Sequence, residues 1–244
     1  MRVQRPTATC LLVIALCAAC LSAATAWAQQ QIEAKPTQEQ KPEMQTKPEA
    51  VVPALKRNAR PPSESGAKPE PFDKATVEQM SKQCVTLTTE EGEIEIEMLP
   101  EAAPESVRNF LNLAATGAYD TTTFSRVVPG FIIQGGDLFT RETKTPELMR
   151  RAVRRVPDEP SAVKHVRGIV SMARSDEPDS ATTHFFILTG EGPHLDGRFA
   201  AFGRVRSGME VVDKINNGEM DGEKPRKPVR VKRATAAPCV PAPA

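Results

Sequence analysis

The densest concentration of residues able to do chemistry is the run Phe124-Ser125-Arg126-Val127-Val128-Pro129-Gly130-Phe131-Ile132-Ile133-Gln134-Gly135-Gly136-Asp137. It sets one permanent cation, Arg126, and one amide, Gln134, about an apolar stretch. Gly135-Gly136 is suggestive of a phosphate loop, but no Gly-Lys-Ser/Thr follows, so a turn is the reading. Three later blocks also mix apolar and isolated polar side chains: Gly168-Ile169-Val170-Ser171-Met172-Ala173-Arg174, then Ser180-Ala181-Thr182-Thr183-His184-Phe185-Phe186-Ile187, then Leu195-Asp196-Gly197-Arg198 closed by Phe202-Gly203-Arg204-Val205. The three histidines, His165, His184 and His194, lack metal-ligand spacing, and no metal site or cofactor is expected. Taken singly, Phe131, Ile132, Phe186 and Leu195 read as core, and Arg126 as a surface residue.

The elements that must position these residues are short. Val85-Thr86-Leu87-Thr88 and Ile94-Glu95-Ile96-Glu97-Met98 alternate apolar and polar residues about Glu91-Gly92, which predicts two antiparallel strands with one buried face. Pro104-Glu105-Ser106 opens an amphipathic helix carrying Val107, Phe110, Leu111, Leu113 and Ala114 on one face, stopped by Gly117. Strands are expected over Phe124 to Val128, Phe131 to Gln134, Gly168 to Ala173, Phe185 to Leu188, Ala200 to Val205 and Pro228 to Arg233, with a second helix from Met209 to Asn216. Many short strands and two helices point to a β-barrel rather than a layered α/β sheet. Pro146 to Val153 could add a short helix within a charged excursion whose Arg150, Arg151, Arg154 and Arg155 read as a solvated face.

The first third of the chain is of another kind. Arg2 and Arg5, the apolar run from Cys10 to Leu21 and the small residues ending at Ala26-Trp27-Ala28 have the layout of a secretory signal, too short for a comfortable membrane span. Cleavage after Ala28 is expected; a lipoprotein signal ending at Cys20 is the alternative, although Cys17 stands where a large aliphatic is usual. From Gln29 the chain is rich in Pro, Lys, Glu and Gln, a composition that cannot bury enough apolar surface to order itself. The expected plan is a signal peptide over 1–28, a disordered linker over 29–78, a folded domain over 79–235 and a disordered tail over 236–244. The protein would be exported, periplasmic or otherwise extracytoplasmic, with no stable membrane insertion once the signal is removed. With 32 basic and 31 acidic residues the net charge is +1, which offers no long-range field for nucleic acid or an anionic surface. After removal of the signal only Cys84 and Cys239 remain, either a disulfide or two thiols, and their spacing does not decide between them.

The run from Phe124 to Asp137 resembles the signature of the cyclophilin family, Phe-x-Arg-x-x-Pro-x-Phe-x-x-Gln-Gly-Gly-Asp, and the three later blocks resemble its further signatures in the expected order. The resemblance implies a mainly β domain, an eight-stranded antiparallel closed β-barrel capped by two α-helices, acting as a monomeric peptidyl-prolyl cis/trans isomerase on proline-containing polypeptides, with no cofactor. It assigns Arg126 as the catalytic arginine with Gln134 beside it, and Phe131, Ile132, Phe186 and Leu195 as the proline pocket. Ala173 and Arg174 match the segment that holds the substrate chain, while His194 and Phe199 lie at the pocket rim. Departures are His184 where Gln is usual, His194 where many eukaryotic members have Trp, and Phe199 where His is common. In the resembled fold the first and last strands are neighbours, so Cys84 and Cys239 could meet. Amide resonance opposes rotation by about 18–20 kcal/mol, and an apolar slot with a fixed cation near the prolyl nitrogen suits that task without acid-base groups.

Overall fold

Alternation of side chains sets the first hairpin. In β1 (Gln83–Thr89) and β2 (Glu93–Met98), Val85, Leu87, Ile94, Ile96 and Met98 point into the core. Between them Thr89 and Gly92 close the turn, with Thr89 N donating to Gly92 O at 2.8 Å. The structure, a computed structural model, describes residues 68–240; the expected signal and most of the linker lie outside the described residues.

The other strands follow as β3 (Arg126–Val128), β4 (Ile132–Gly135), β5 (Ile169–Met172), β6 (Phe185–Leu188), β7 (Ala201–Ser207), a small ladder of β8 (Met220–Asp221) with β9 (Lys224–Pro225), and β10 (Val231–Pro238). The helices among the described residues are α1 (Val77–Ser81), α2 (Pro104–Ala115), α3 (Pro146–Ala152) and α4 (Met209–Asn216). Eight strands form one antiparallel sheet in the order β10-β1-β2-β7-β5-β6-β4-β3. Helix α2 packs against β7 and β10, and α4 against β2 and β4.

Two features of the expected barrel need correction. The sheet is not closed: β3 and β10 are its edges, and they do not form a ladder with each other. Residues just before each edge meet instead, through the isolated bridge Thr123 to Arg230 and a bond from Phe124 N to Val229 O at 3.0 Å. Beyond that bridge Val127 N of β3 donates to Glu223 O at 2.8 Å, so the outer edge of β3 is taken by the turn of the β8–β9 ladder and not by β10. The two capping helices are also joined by α1, which the sequence reading places in the linker, and by α3, which falls in the Pro146 to Val153 span where a short helix is allowed. A capping box between Thr76 and Gln79 starts α1, a signal present in the sequence but hidden inside the supposed linker.

The domain boundaries shift outward accordingly. Phe72 and Ala75 pack against the core, Phe72 N donates to Asn112 Oδ1 at 2.7 Å, and Arg108 donates to the carbonyls of Phe72 and Ala75 at 2.7 and 2.8 Å. At the other end β10 runs to Pro238, pairing with Gln83 of β1, so residues 236–238 are strand rather than tail. Cys84 and Cys239 are joined by a disulfide, and Cys239 N donates to Lys82 O at 2.9 Å.

The core is an aromatic cluster. Phe110 of α2 lies 4.8–5.2 Å, centroid to centroid, from Tyr119, Phe185 and Phe202. Tyr119 is fully enclosed, so its hydroxyl needs an acceptor, and Thr183 O supplies one at 2.9 Å. Burial pushes that phenol far above its ordinary range. Helix α2 has Ala103 at its N-cap, which cannot accept its free N–H groups. The Glu159 carboxylate does so from a distant loop, accepting from Glu105 N, Ser106 N and Ser106 Oγ at 2.7–2.9 Å. The charged excursion is largely consumed inside the domain: Arg151 and Arg154 pair with Glu70, and Arg155 with Glu177.

The disulfide closes a loop spanning 155 positions. By lost chain entropy in the unfolded state, reducing it should lower stability by about 5 kcal/mol. Chemical denaturation with and without reductant checks this, and Cys84→Ala with Cys239→Ala should match the reduced wild type.

Candidate active site

Strands β3, β4, β6 and β5 carry the candidate residues by strict alternation. Arg126 stands opposite Gln134, Gln134 opposite Phe186, and Phe186 opposite Ser171. Partners directly across a ladder share a face, so these four side chains form one row. Val128, Ile132 and Leu188 form the next row on that face. On the opposite face Val127, Ile133, Ile187 and Val170 enter the main core. Just beyond Gln134, Gly136 has φ of 84°, and a Cβ there would lie 2.3 Å from Thr183 O. Only glycine lets these two segments approach so closely.

Arg126 is held at two points: Nε donates to Glu223 Oε2 at 2.6 Å and Nη1 to Gln134 Oε1 at 3.2 Å. Its side chain remains 44% exposed, so the cation is available to a ligand. A groove of about 310 Å³ beside it is lined by Arg126, Gln134, Ala173, Arg174, Ser175, Ser180, Thr182 and His184. His184 Nε2 lies 3.7 Å from Asp137 Oδ1 on this rim.

A second hydrophobic cluster, separate from the main core, gathers Ile132, Phe186 and Leu195 with the partly buried Phe131, Ala173 and Phe199 against it. The Phe186 and Phe199 rings meet edge to face at 6.0 Å, and the His194 ring lies 5.4 Å from Phe131. The Arg174 guanidinium sits 5.1 Å from the Phe199 ring centroid, a cation–π contact that fixes this rim. The structure thus brings together every candidate site residue read from the sequence: Arg126, Gln134, Ala173 and Arg174 along the groove, Phe131, Ile132, Phe186, Leu195 and Phe199 in the apolar cluster, and His194 against Phe131. A larger cavity of about 420 Å³, lined in part by Glu91, Lys214, Met220 and Val229, shares no residue with this groove.

The loop that carries His194 and Leu195 is tied down from behind. Asp196 Oδ1 accepts from His165 N at 2.8 Å and faces His165 Nδ1 at 3.2 Å, while Lys164 Nζ lies 3.0 Å from Oδ2. His165 Nε2 lies 3.2 Å from Ser171 Oγ, which also reaches Ala200 O at 2.8 Å. Asp, His and Ser in sequence have the composition of a hydrolytic triad, but the Ser171 side chain is fully buried and committed to a carbonyl. It cannot meet a substrate, and the chain acts as a strut between β5 and the pocket loop. Burial pushes the His165 imidazole below its ordinary value, against the opposing pull of Asp196. The His165 backbone N–H, then Lys164, holds the Asp196 carboxyl down at about 2. Sequence reading missed Glu223, His165, Asp196 and Ser171 as a group, because none has a spacing relation to Arg126 that a local pattern could expose.

The family model for "Cyclophilin type peptidyl-prolyl cis-trans isomerase/CLD" matches residues 84–236. The chain is 39% identical over 159 residues to the peptidyl-prolyl cis-trans isomerase cypE of Dictyostelium discoideum, covering 64% of this chain and 99% of that protein. It is 38% identical over 164 residues to peptidyl-prolyl cis-trans isomerase A of Dickeya dadantii, covering 62% of this chain and 82% of the relative. Among solved structures, a cyclophilin type peptidyl-prolyl cis-trans isomerase of Cryptosporidium parvum, crystallised in the presence of the dipeptide Ala-Pro, superposes with a TM-score of 0.55 at 31% identity, covering 62% of this chain and 97% of that one.

The strut behind the pocket loop predicts an acid sensitivity. A histidine kept neutral by burial binds its proton more readily in the unfolded chain, so stability should begin to fall as pH drops below about 6.5 and continue to the lowered folded-state value. Asp196 adds a separate loss only between about 3.8 and about 2. Melting temperatures measured from pH 7.5 to 5 should therefore fall less steeply in His165→Gln than in the wild type, by at most about 1.4 kcal/mol per pH unit in stability. Parallel slopes would show that His165 does not titrate in this way.

Proposed function

The chain belongs to the family of cyclophilin-type peptidyl-prolyl cis-trans isomerases and catalyses rotation about X-Pro peptide bonds, and from that premise we propose how its own residues do so and where. The reading rests on one observation, the row Arg126, Gln134, Phe186 at the edge of an apolar cluster separate from the core. The pyrrolidine ring of the substrate enters against Phe131, Ile132, Phe186 and Leu195. The Arg126 guanidinium then lies over the prolyl nitrogen, whose lone pair is freed as the amide twists out of plane. A charge that is already placed stabilises the twisted state more than the planar one, which lowers the barrier. Gln134 holds Arg126 Nη1, and residues 173–174 carry the flanking substrate chain along the groove. No bond is made or broken, so no nucleophile or acid-base pair is required.

The same reading places the protein outside the cytoplasm as a monomer acting on exported or unfolded chains. Its supports are the signal-like start ending at Ala28 and the Cys84 to Cys239 disulfide, a bond favoured in oxidising compartments. N-terminal sequencing of the exported protein should find Gln29 first; a start at lipidated Cys20 would instead make it membrane-anchored.

Arg126→Ala should lower kcat/KM by about 100- to 1,000-fold, the size seen when one preorganised electrostatic donor is removed. Peptide affinity by calorimetry should fall far less, since the apolar pocket survives. Phe186→Ala should weaken peptide binding and lower stability by about 3–5 kcal/mol, because the ring is buried in the cluster. An Arg126→Ala variant that is folded by circular dichroism and fully active in a protease-coupled X-Pro assay would make the site a binding module with its catalysis elsewhere.

A further inference from the structure

The geometry points to Glu223 as a positioning residue that sets the orientation of the Arg126 guanidinium for turnover; the inference rests on the catalytic reading of Arg126 above. Arginine has a long side chain with many rotamers, and Arg126 projects from a three-residue strand at the open edge of the sheet. A single contact to Gln134 leaves its plane free to swing about that bond. Glu223 supplies the second point, accepting from Nε at 2.6 Å, against 3.2 Å for the Gln134 contact on Nη1. With Nε–H and one N–H of Nη1 committed, the second N–H of Nη1 and the two of Nη2 are the donors left for the substrate amide.

Glu223 is itself fixed relative to Arg126. It follows Gly222 in the turn of the β8–β9 ladder, where φ of 61° at Gly222 favours a residue without a side chain. The Glu223 carbonyl accepts from Val127 N at 2.8 Å, so its backbone is bonded to the residue next to Arg126. Both ends of the ion pair therefore move with the same strand edge. Arg126 holds the Glu223 carboxyl below the usual carboxylate range, as expected of a real charge contact. An exposed pair of this kind adds little to stability. Its consequence is directional: it restricts the one side chain whose placement the reaction depends on.

The test uses the full chain with Glu223→Ala, Glu223→Gln and Arg126→Ala, assayed on an X-Pro peptide by a protease-free method. Misplacement of a reacting group is felt in turnover. Glu223→Ala should lower kcat by about 10-fold with KM within about twofold. Glu223→Gln, which can still accept from Nε, should recover part of that loss. In ¹⁵N spectra the Arg126 Nε–H resonance should be resolved and slowly exchanging in the wild type, broadened by exchange in Glu223→Ala, and intermediate in Glu223→Gln. Unchanged or raised kcat in folded Glu223→Ala, or an Arg126 Nε–H signal indifferent to Glu223, overturns the inference. Loss of activity in Arg126→Ala with normal activity in Glu223→Ala would sink this inference alone, whereas full activity in Arg126→Ala would sink the catalytic reading beneath it.

Discussion

Strand β6 buries all four of its side chains, with alternate residues on opposite faces of the sheet. Phe185 and Ile187 belong to the main core, while Phe186 and Leu188 belong to the separate cluster beneath the site. This double burial is the constraint on which the rest of the structure depends. A slip of one residue in the pairing of β6 with β4 or β5 would exchange the two faces, putting Phe186 into the aromatic core and turning Phe185 outward. Register is therefore enforced by packing on both sides at once. Arg126, Gln134 and Phe186 stay aligned because the residues between them are locked into the core.

The open edge of the sheet carries the next consequence. A free edge strand exposes unpaired backbone groups, and proteins cover such edges rather than leave them bare. Here the approach to β10 and the small β8–β9 ladder lie along β3, contributing the carbonyls of Val229 and Glu223 to Phe124 N and Val127 N. The chain that fills the gap left by incomplete closure is also the chain that brings a carboxylate to Arg126. At the far edge, β10 is secured to β1 by pairing and by the disulfide. The segment before α1 is bound across α2 by Arg108 and Asn112. The sheet's edges are thus managed by different devices, and only the one beside β3 touches the site.

Polar groups buried near the site serve as fixed connectors. Asp196, His165 and Ser171 join the loop carrying Leu195 to strand β5, and Tyr119 with Thr183 ties the core to the segment behind Gly136. The bonds of Tyr119, His165, Ser171 and Thr183 satisfy groups that would otherwise be stranded away from water, so the loss of one would be felt as more than one missing contact. The pocket walls are held in place by these connectors and by packing, which suits a reaction that needs a rigid slot and a placed charge but no transferred atom.

Much of this was legible locally. Strands β1 and β2 follow from alternation and α2 from its apolar face between Pro104 and Gly117, because period and turn chemistry act within a few residues, while the site candidates follow from the resemblance of the ordered blocks around Arg126, Ala173, Phe186 and Leu195 to the family signatures. The chain's sequence by itself determined which residues would form short strands, and the resemblance of one local motif to the family signature marked Arg126 and Gln134 as a pair, which fall on adjacent strands. Only the tertiary structure decided that the sheet stays open, that residues 236–238 join β10, that Thr76 begins a helix within the domain, and that Glu223 reaches Arg126. Those outcomes depend on contacts between segments 33 to 155 positions apart. Such contacts are settled by how much apolar surface each long-range pairing removes from water, and no local pattern of residues records that quantity.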